Sequence, residues 1–417
     1  MFLKHIEVKN FKCLEDISLS FAKDKKQNRK WTLILGENGT GKSNLLKAIA
    51  LVTAGSNALG QLLGDSNSWI RNGAESCTIK AILETKKGEE RKIALEINRN
   101  TNLSEIIQLN YNSLNLIDAA IFNAERNYFV VAYGASRRLS NDSSLSFENE
   151  QFGRFNNIKN LFFNSYSLNP LASWIIDLDY QNGEKGISLI KNTLNNFLPG
   201  TSFHSIDKHK KQVLFQTADG IVPLDQLSDG YQNMAAWIGD LLYRVTQSFH
   251  DYNKPLETRG ILLIDELDLH LHPKWQRKLI EFISNKLPNF QIIAATHSPL
   301  TAQQADEDEL YALKRDEENN KISIIPFVGS PRKLLINQLL MTPVFGLDTD
   351  ESLEVEKTKR AYDNLQSNFD NLNDAEKEEL KIVKKKLKLT LPQRDIPESS
   401  DKEIDLLKRI EKHLNIR

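Results

Sequence analysis

The sequence predicts an α/β fold built on a mixed, mostly parallel sheet, with an antiparallel β subdomain, a helical lid and C-terminal helices. Three observations carry this. A short apolar strand, "WTLIL" (31–35), runs straight into a glycine-rich loop and then a helix. From residue 221 onward strand and helix patterns alternate, as parallel sheets require. Near the start, apolar residues alternate with polar ones, the signature of strands with one buried face.

In chain order, Ile6 and Val8, then Ile17, Leu19 and Phe21, alternate with polar residues and predict strands. "KDKKQNRK" (23–30) reads as a polar turn, and "NLLKAIALV" (44–52) as the helix after the glycine loop. "CTIKAILET" and "RKIALEI" predict a hairpin across "KKGEE". "YFVVAYGASRRL" (128–139) reads as a strand, a glycine turn and two arginines; residues 140–151 read as a mobile loop and 157–198 as helices. After the short loop "PLDQLSDG" come a helix (231–246), the strand "GILLI", the helix "PKWQRKLIEFISNKL" and the strand "FQIIAATH". Past 350 the chain is charged and helical. Asn373 with Glu376, and Ser400 with Glu403, are spaced as capping boxes, and Ile404, Leu407, Ile410 and Leu414 form an apolar stripe.

Bulk properties narrow the function. The 417 residues are 40% hydrophobic, enough for a sizeable core. Lys+Arg 54 against Asp+Glu 55 gives no global charge for nucleic acid, so any such contact must be a local patch. Cys13 and Cys77 are the sole cysteines, which suits a reducing cytoplasm. The charged start "MFLKHIEVKNFK" does not read as a signal peptide, and no apolar run approaches the ~20 residues of a membrane span.

"GENGTGKS" (36–43) fits G-x-x-x-x-G-K-[ST] at every fixed position. Gly36, Gly39 and Gly41 let backbone N–H groups turn inward around phosphate oxygens, flanked by Asn38 and Asn44. Lys42 is expected to reach the β- and γ-phosphates, Ser43 to ligate Mg²⁺, and the following helix to aim its N-terminus at the anion. "ILLIDELDLHLHP" (261–273) then ends an apolar strand in two carboxylates. Asp265 is expected to hold Mg²⁺ and Glu266 to polarise the attacking water, the metal offsetting two charges that would otherwise repel. A zinc site on His270 and His272 is the weaker alternative: both point one way only if the segment is extended, and no Cys lies nearby.

"QLSDGYQ" (226–232) resembles the L-S-G-G-Q signature of ABC-type ATPases, with Ser228 and Gly230 matching and Asp229 and Tyr231 departing. "ATHSP" (295–299) resembles the switch segment, with His297 in place. Phosphate loop, signature, acidic strand end and switch histidine stand in the family order. On these motifs the chain resembles the ATPase heads of RecF, OLD and SMC proteins over about 1–55 and 220–315. That resemblance implies ATP and Mg²⁺ as cofactors, Glu266 and His297 as catalytic, and a head-to-head homodimer or higher homo-oligomer in which Ser228 and Gly230 of one copy close the site of the other. It divides the chain into an ATPase domain, 1–349 (core 1–55 and 220–330, lid about 140–219), and a C-terminal partner-docking region, 350–417.

No heptads suggest a coiled-coil arm. Asp306–Asp308 and Asp348–Asp350 satisfy D-x-D, but neither follows the strand a Toprim nuclease needs. "DELDLHLHPKWQR", "ATHSP" and "FGLDTDESLEVE" together resemble stand-alone ATPases of anti-phage defence operons, such as Septu-type systems, which work with a separate nuclease. A RecF-like repair ATPase and a slow ATP-bound scaffold are the alternatives. Arg137 and Arg138 either touch a phosphate or the facing subunit or form a surface pair. "KHKK" (208–211) and "KKKLK" (384–388) are either solvated faces or nucleic-acid contacts. The C-terminal stripe either docks a partner or packs on its own core.

Overall fold

A computed structural model describes residues 1–390 except 24–26, 86–87, 138–152, 199, 250–253 and 368–373. The expected loop at 140–151, Arg138, Asn373 and the whole stripe from Ser400 onward lie outside the described residues. The chain forms two compact units, Met1–Gly346 and Leu347–Arg417.

The first unit opens with β1 (Phe2–Phe11), β2 (Leu14–Ser20) and β3 (Trp31–Gly36), followed by α1 (Lys42–Val52) and α2 (Ser56–Leu63). The hairpin of β4 (Ser76–Glu84) and β5 (Glu90–Asn98) leads to α3 (Leu103–Leu109), α4 (Tyr111–Ala124) and the short strand β6 (Val130–Tyr133). Then come α5 (Arg154–Phe162), α6 (Leu171–Phe197), β7 (Ser202–Asp207), β8 (Gln212–Thr217), β9 (Gly220–Pro223) and α7 (Asp229–Ser248). β10 (Gly260–Ile264), α8 (Pro273–Lys286), β11 (Phe290–Ala295) and α9 (Pro299–Ala302) carry the later motifs. β12 (Leu310–Arg315), β13 (Ile322–Pro326) and α10 (Ile336–Leu340) close the unit.

The central sheet has the order β13-β12-β3-β11-β10-β6 and is parallel except for β13. "ILLI" explains why a strand can be apolar throughout. Ile261 and Leu263 enter a core shared with the antiparallel sheet β2-β1-β4-β5 and α1. Leu262 and Ile264 enter a second core under α6, α7 and α8. A strand covered on both faces has no polar side, so alternation disappears.

The expected α/β class, mixed sheet and antiparallel subdomain are all present. The lid departs in one respect: after α6 it continues as the three-stranded antiparallel sheet β7-β8-β9. Its strands are short and only partly buried, so period-two alternation there is weak. α6 is kinked at Gly183, whose φ of 59° and ψ of −151° leave the helical region. Residues 56–124 also fold as three helices around the predicted hairpin, and α3 opens with a capping box of Asn102 and Glu105.

In the second unit, α11 (Leu353–Ser367) and α12 (Asp374–Thr390) are joined by an ion pair between Lys386 and Glu354 at 2.9 Å. No residue of α11 is buried. Among the described residues no helix is long and apolar enough to cross a membrane.

Candidate functional site

The order β3-β11-β10-β6 brings three motifs to one edge of the sheet. β3 ends at Gly36 and delivers the phosphate loop. β11 ends at Ala295, so His297 follows directly. β10 ends at Ile264, so Asp265 and Glu266 leave the sheet between that histidine and β6. Backbone bonds continue the ladder past the strand ends: Thr296 N–H donates to Ile34 O at 3.1 Å, Leu267 N–H to Ala295 O at 2.9 Å, and Asp265 N–H to Tyr133 O at 2.8 Å. The strand ends are thereby fixed relative to one another, and side chains distant in sequence share one site.

The loop from Gly36 to Gly41 curls under backbone constraint. Gly39 and Gly41 have φ of 80° and 95°, a region that L side chains rarely adopt. Helix α1 begins at Lys42, two residues earlier than its apolar pattern suggests, with Gly41 as an N-cap that supplies no side-chain acceptor. Its first amides are left for an anion. Lys42 is buried and folds over the loop, Nζ donating to Gly36 O at 2.8 Å and Glu37 O at 2.9 Å. Burial pulls its ammonium below the ordinary lysine value, while Asp265 and Glu266 pull it back up. Ser43 and Asn44 are half-buried in the first turn, and Asn38 is exposed on the loop. Arg315 of β12 steadies the loop by donating from Nη2 to Gly39 O at 3.1 Å.

Asp265 is 7% exposed, and its Oδ1 has no hydrogen-bond partner among the described residues. A buried, unpartnered carboxylate oxygen near the Lys42 ammonium at the start of α1 is what a hard cation and a polyphosphate would complete. The residues therefore fit Mg²⁺ and a nucleotide. Glu266 is half-buried and stands in the left-handed region, at φ 47°. His297 is exposed on the rim of a cavity of about 300 Å³ that Gly36, Glu37 and Thr40 also line. Partial burial and then Lys42 hold its imidazole below the ordinary value, against Glu266, Asp268 and Asp265. These influences favour the neutral ring.

One site residue escaped the sequence reading, and another was left open by it. Asp268 is buried, and its Oδ2 accepts from Thr296 Oγ1 at 2.7 Å and Thr301 Oγ1 at 2.9 Å. It thereby ties the segment after β10 to the segment carrying His297. The "DELD" spacing was its only signal. Arg137, left open between contact with a phosphate or the facing subunit and a surface pair, is 2% exposed, with Nη2 donating to Glu266 O at 2.6 Å. Burial lowers its pKa to about 10 while Asp265, Asp268 and Glu266 oppose this, so it stays charged at neutral pH. Arg137 thus supplies positive charge beside the acid pair.

The signature segment lies elsewhere. Ser228 is exposed as the N-cap of α7 with its hydroxyl making no cap bond, and Gly230 sits in the first turn. With His270, His272 and Lys274 they line a cavity of about 650 Å³ that contains no residue of the phosphate loop. The two histidines therefore border the signature. His270 has φ 63°, so the segment is not extended there, and His272 Nδ1 caps α8 by accepting from Lys274 N–H at 3.2 Å. Gly230 is required by proximity: a Cβ there would stand 2.7 Å from His270 O. Gly230→Ala is expected to lower stability by about 1–3 kcal/mol through this backbone clash. Chemical denaturation measures it, and an unchanged midpoint would remove the packing role.

The remaining candidates sit on the surface. Asp306–Asp308 are exposed, with Asp306 paired to Arg332 at 2.7 Å. Residues 208–211 form the exposed β7–β8 turn, and Lys208 pairs with Asp179 at 2.6 Å. Lys384, Lys385 and Lys386 are exposed on α12.

The family model described as "AAA domain, putative AbiEii toxin, Type IV TA system" matches residues 32–302. That stretch runs from β3 to α9 and contains the phosphate loop, Arg137, the signature, the acid pair and His297. The chain belongs to this family. This AAA-domain chain is 28% identical over 387 residues to the Septu protein PtuA of Bacillus mycoides (strain KBAB4), covering 93% of itself and 50% of that protein. It thus spans half the length of that relative. It is 25% identical over 359 residues to the Septu protein PtuA of Bacillus thuringiensis, covering 84% and 86%. It is 24% identical over 382 residues to the Retron Vc95 probable ATPase of Vibrio cholerae serotype O1 biovar El Tor, covering 73% of each. The resemblance to ABC-type ATPases of the defence type stands.

Proposed function

We propose that this chain binds and hydrolyses ATP, that two copies pair head-to-head around the nucleotide, and that the paired heads regulate a separately encoded effector nuclease in anti-phage defence within the cytoplasm. The observation that carries hydrolysis is the Asp265 Oδ1, unpartnered among the described residues, beside Lys42, Glu266 and His297 at one sheet edge. Asp265 and Ser43 would hold Mg²⁺, which when bound offsets phosphate charge and the repulsion within the acid pair. The loop amides of Gly36, Gly39 and Gly41, with Asn38 and Asn44 beside them, bind the phosphates, and Lys42 turns from the loop carbonyls toward them. Glu266 takes a proton from the attacking water, and His297 donates a hydrogen bond to the terminal phosphate.

Pairing rests on the division of the motifs between two cavities. The signature lines one of about 650 Å³, and the loop and His297 line another of about 300 Å³. A single copy offers each half of the site separately, which suits a second copy whose Ser228 and Gly230 close the first. The effector and the defence setting rest on similarity to the Septu and retron proteins, and 350–417 would be the docking region.

Ser228→Arg tests the paired site. The position is exposed, so the fold and ATP binding by one copy are expected to survive. ATP-dependent doubling of mass should disappear, with turnover falling about 10²-fold or more as the site loses its facing half. Light scattering with and without ATP, beside a phosphate-release assay, reads both. Normal turnover by the variant would rule out a two-copy site.

A further inference from the structure

Glu266 can act on a water only if its carboxylate is aimed, and its backbone conformation is unusual. A φ of 47° is uncommon for a residue with a side chain and persists only where neighbours enforce it. Arg137 is one such neighbour. β6 pairs in parallel with β10, with Tyr133 opposite Ile264, so 134–137 and 265–266 leave the sheet side by side. Across that gap Arg137 Nη2 holds Glu266 O at 2.6 Å.

Arg137 itself is firmly seated. Gly134 N–H donates to Asn160 Oδ1 at 3.0 Å, and Asn160 Nδ2 returns a bond to Ser136 O at 3.1 Å. A Cβ at Gly134 would stand 2.7 Å from Asn160 O, so the two segments are in backbone contact. One residue earlier, the Tyr133 hydroxyl donates to Asp240 Oδ2 at 2.8 Å. Asp240 lies on α7, the helix that begins at the signature, and is held there by Arg244 at 2.6 Å. Bonded contacts therefore run from α7 through Asp240, Tyr133 and Arg137 to the main chain of Glu266.

Packing alone does not account for an arginine here. It is 2% exposed, yet its Nε and Nη1 make no hydrogen bond among the described residues. A buried cation with idle donors is costly, and an apolar side chain would fill the space more cheaply.

We propose that Arg137 is a positioning residue that aims the Glu266 carboxylate through its main-chain carbonyl and, through Tyr133 and Asp240, couples that aim to the signature helix. This rests on the reading of Glu266 as the residue that activates water. It explains how closure by a facing copy on the start of α7 is felt at the acid pair: a shift of α7 moves Asp240, then the 133–137 segment, then Glu266.

The test uses the full chain with Arg137→Gln, Arg137→Lys, Tyr133→Phe and Glu266→Gln, each read by fluorescent-ATP binding, KM and single-turnover hydrolysis. Arg137→Gln should bind nucleotide within about threefold of the parent, keep KM, and lose about 10²-fold in turnover from misplacement of the carboxylate. Arg137→Lys, keeping a cation and a donor, should recover part of that loss. Arg137→Gln combined with Glu266→Gln should be no slower than Glu266→Gln alone, because the arginine acts through the glutamate. A turnover within about twofold of the parent for Arg137→Gln, or losses that multiply in the double variant, would overturn the proposal. Should both Arg137 variants fail to fold, Tyr133→Phe decides. It keeps the arginine and cuts only the Asp240 anchor, so about a tenfold loss in turnover at unchanged ATP affinity is expected, and parental turnover overturns the coupling. Parental turnover by Glu266→Gln overturns the functional reading itself, a result separate from any Arg137 outcome.

Discussion

Lys42→Ala is expected to abolish nucleotide binding while leaving the fold intact. Among the described residues the Lys42 ammonium is anchored only to two carbonyls of its own loop, Gly36 O and Glu37 O, so its removal breaks no hydrogen bond between elements. Its stem is buried, but the α1 face that packs into the core is made by Leu45, Leu46, Ile49 and Val52. What is lost is the positive charge nearest the phosphates, in a site that already holds Asp265, Glu266 and Asp268. Truncating one side of a buried charge pair costs about 2–5 kcal/mol, so affinity should fall about 10²-fold or more. Titration with a fluorescent ATP analogue, beside a thermal melt, separates the two effects. Unaltered affinity, or an unfolded variant, would count against the assigned loop.

Glu266→Gln is the second large effect, and it falls on chemistry rather than binding. The amide matches the carboxylate in size, and the main-chain carbonyl that Arg137 holds is untouched. ATP should therefore still bind and still draw two copies together. An amide cannot take a proton from water, so turnover should drop by about 10²-fold or more. The ATP-bound pair should then accumulate, visible as a doubled mass that persists for as long as ATP is intact. Near-parental phosphate release would exclude Glu266 from the mechanism.

The legible parts of this site share one property: the chemistry is written in consecutive residues. "GENGTGKS" encodes its own loop because glycine conformations and the following helix are local matters. "ILLID" reads as a strand end because a run of apolar residues stops at a carboxylate. Arg137 was visible only as one of two arginines after a glycine. Its burial depends on β6 lying next to β10, a pairing between segments some 130 residues apart. Gly134 was read as a turn glycine, yet its φ is not positive; it is required by the backbone of Asn160, a neighbour that sequence cannot supply. The strands β7 and β8 were absorbed into a helical lid, and β9 just past its edge was not read as a strand, because a small, partly exposed sheet leaves little period-two pattern.

By itself, then, the sequence determined the α/β class, the phosphate loop, the strand ends that carry Asp265 and His297, and the helix that opens at the signature. Each is set by local conformational preference and apolar periodicity, which act within a few residues. The tertiary structure alone decided which of these meet. The order β3-β11-β10-β6 placed the loop, His297 and the acid pair at one edge, while α7 carried Ser228 and Gly230 to another cavity beside His270. It also decided the charge environment, since whether Arg137 is a solvated surface group or a buried partner of Glu266 depends on what lies above it. Sheet order and burial are properties of the packed chain as a whole, because the central strands β3, β11, β10 and β6 are covered on both faces and local sequence does not distinguish one neighbour from another.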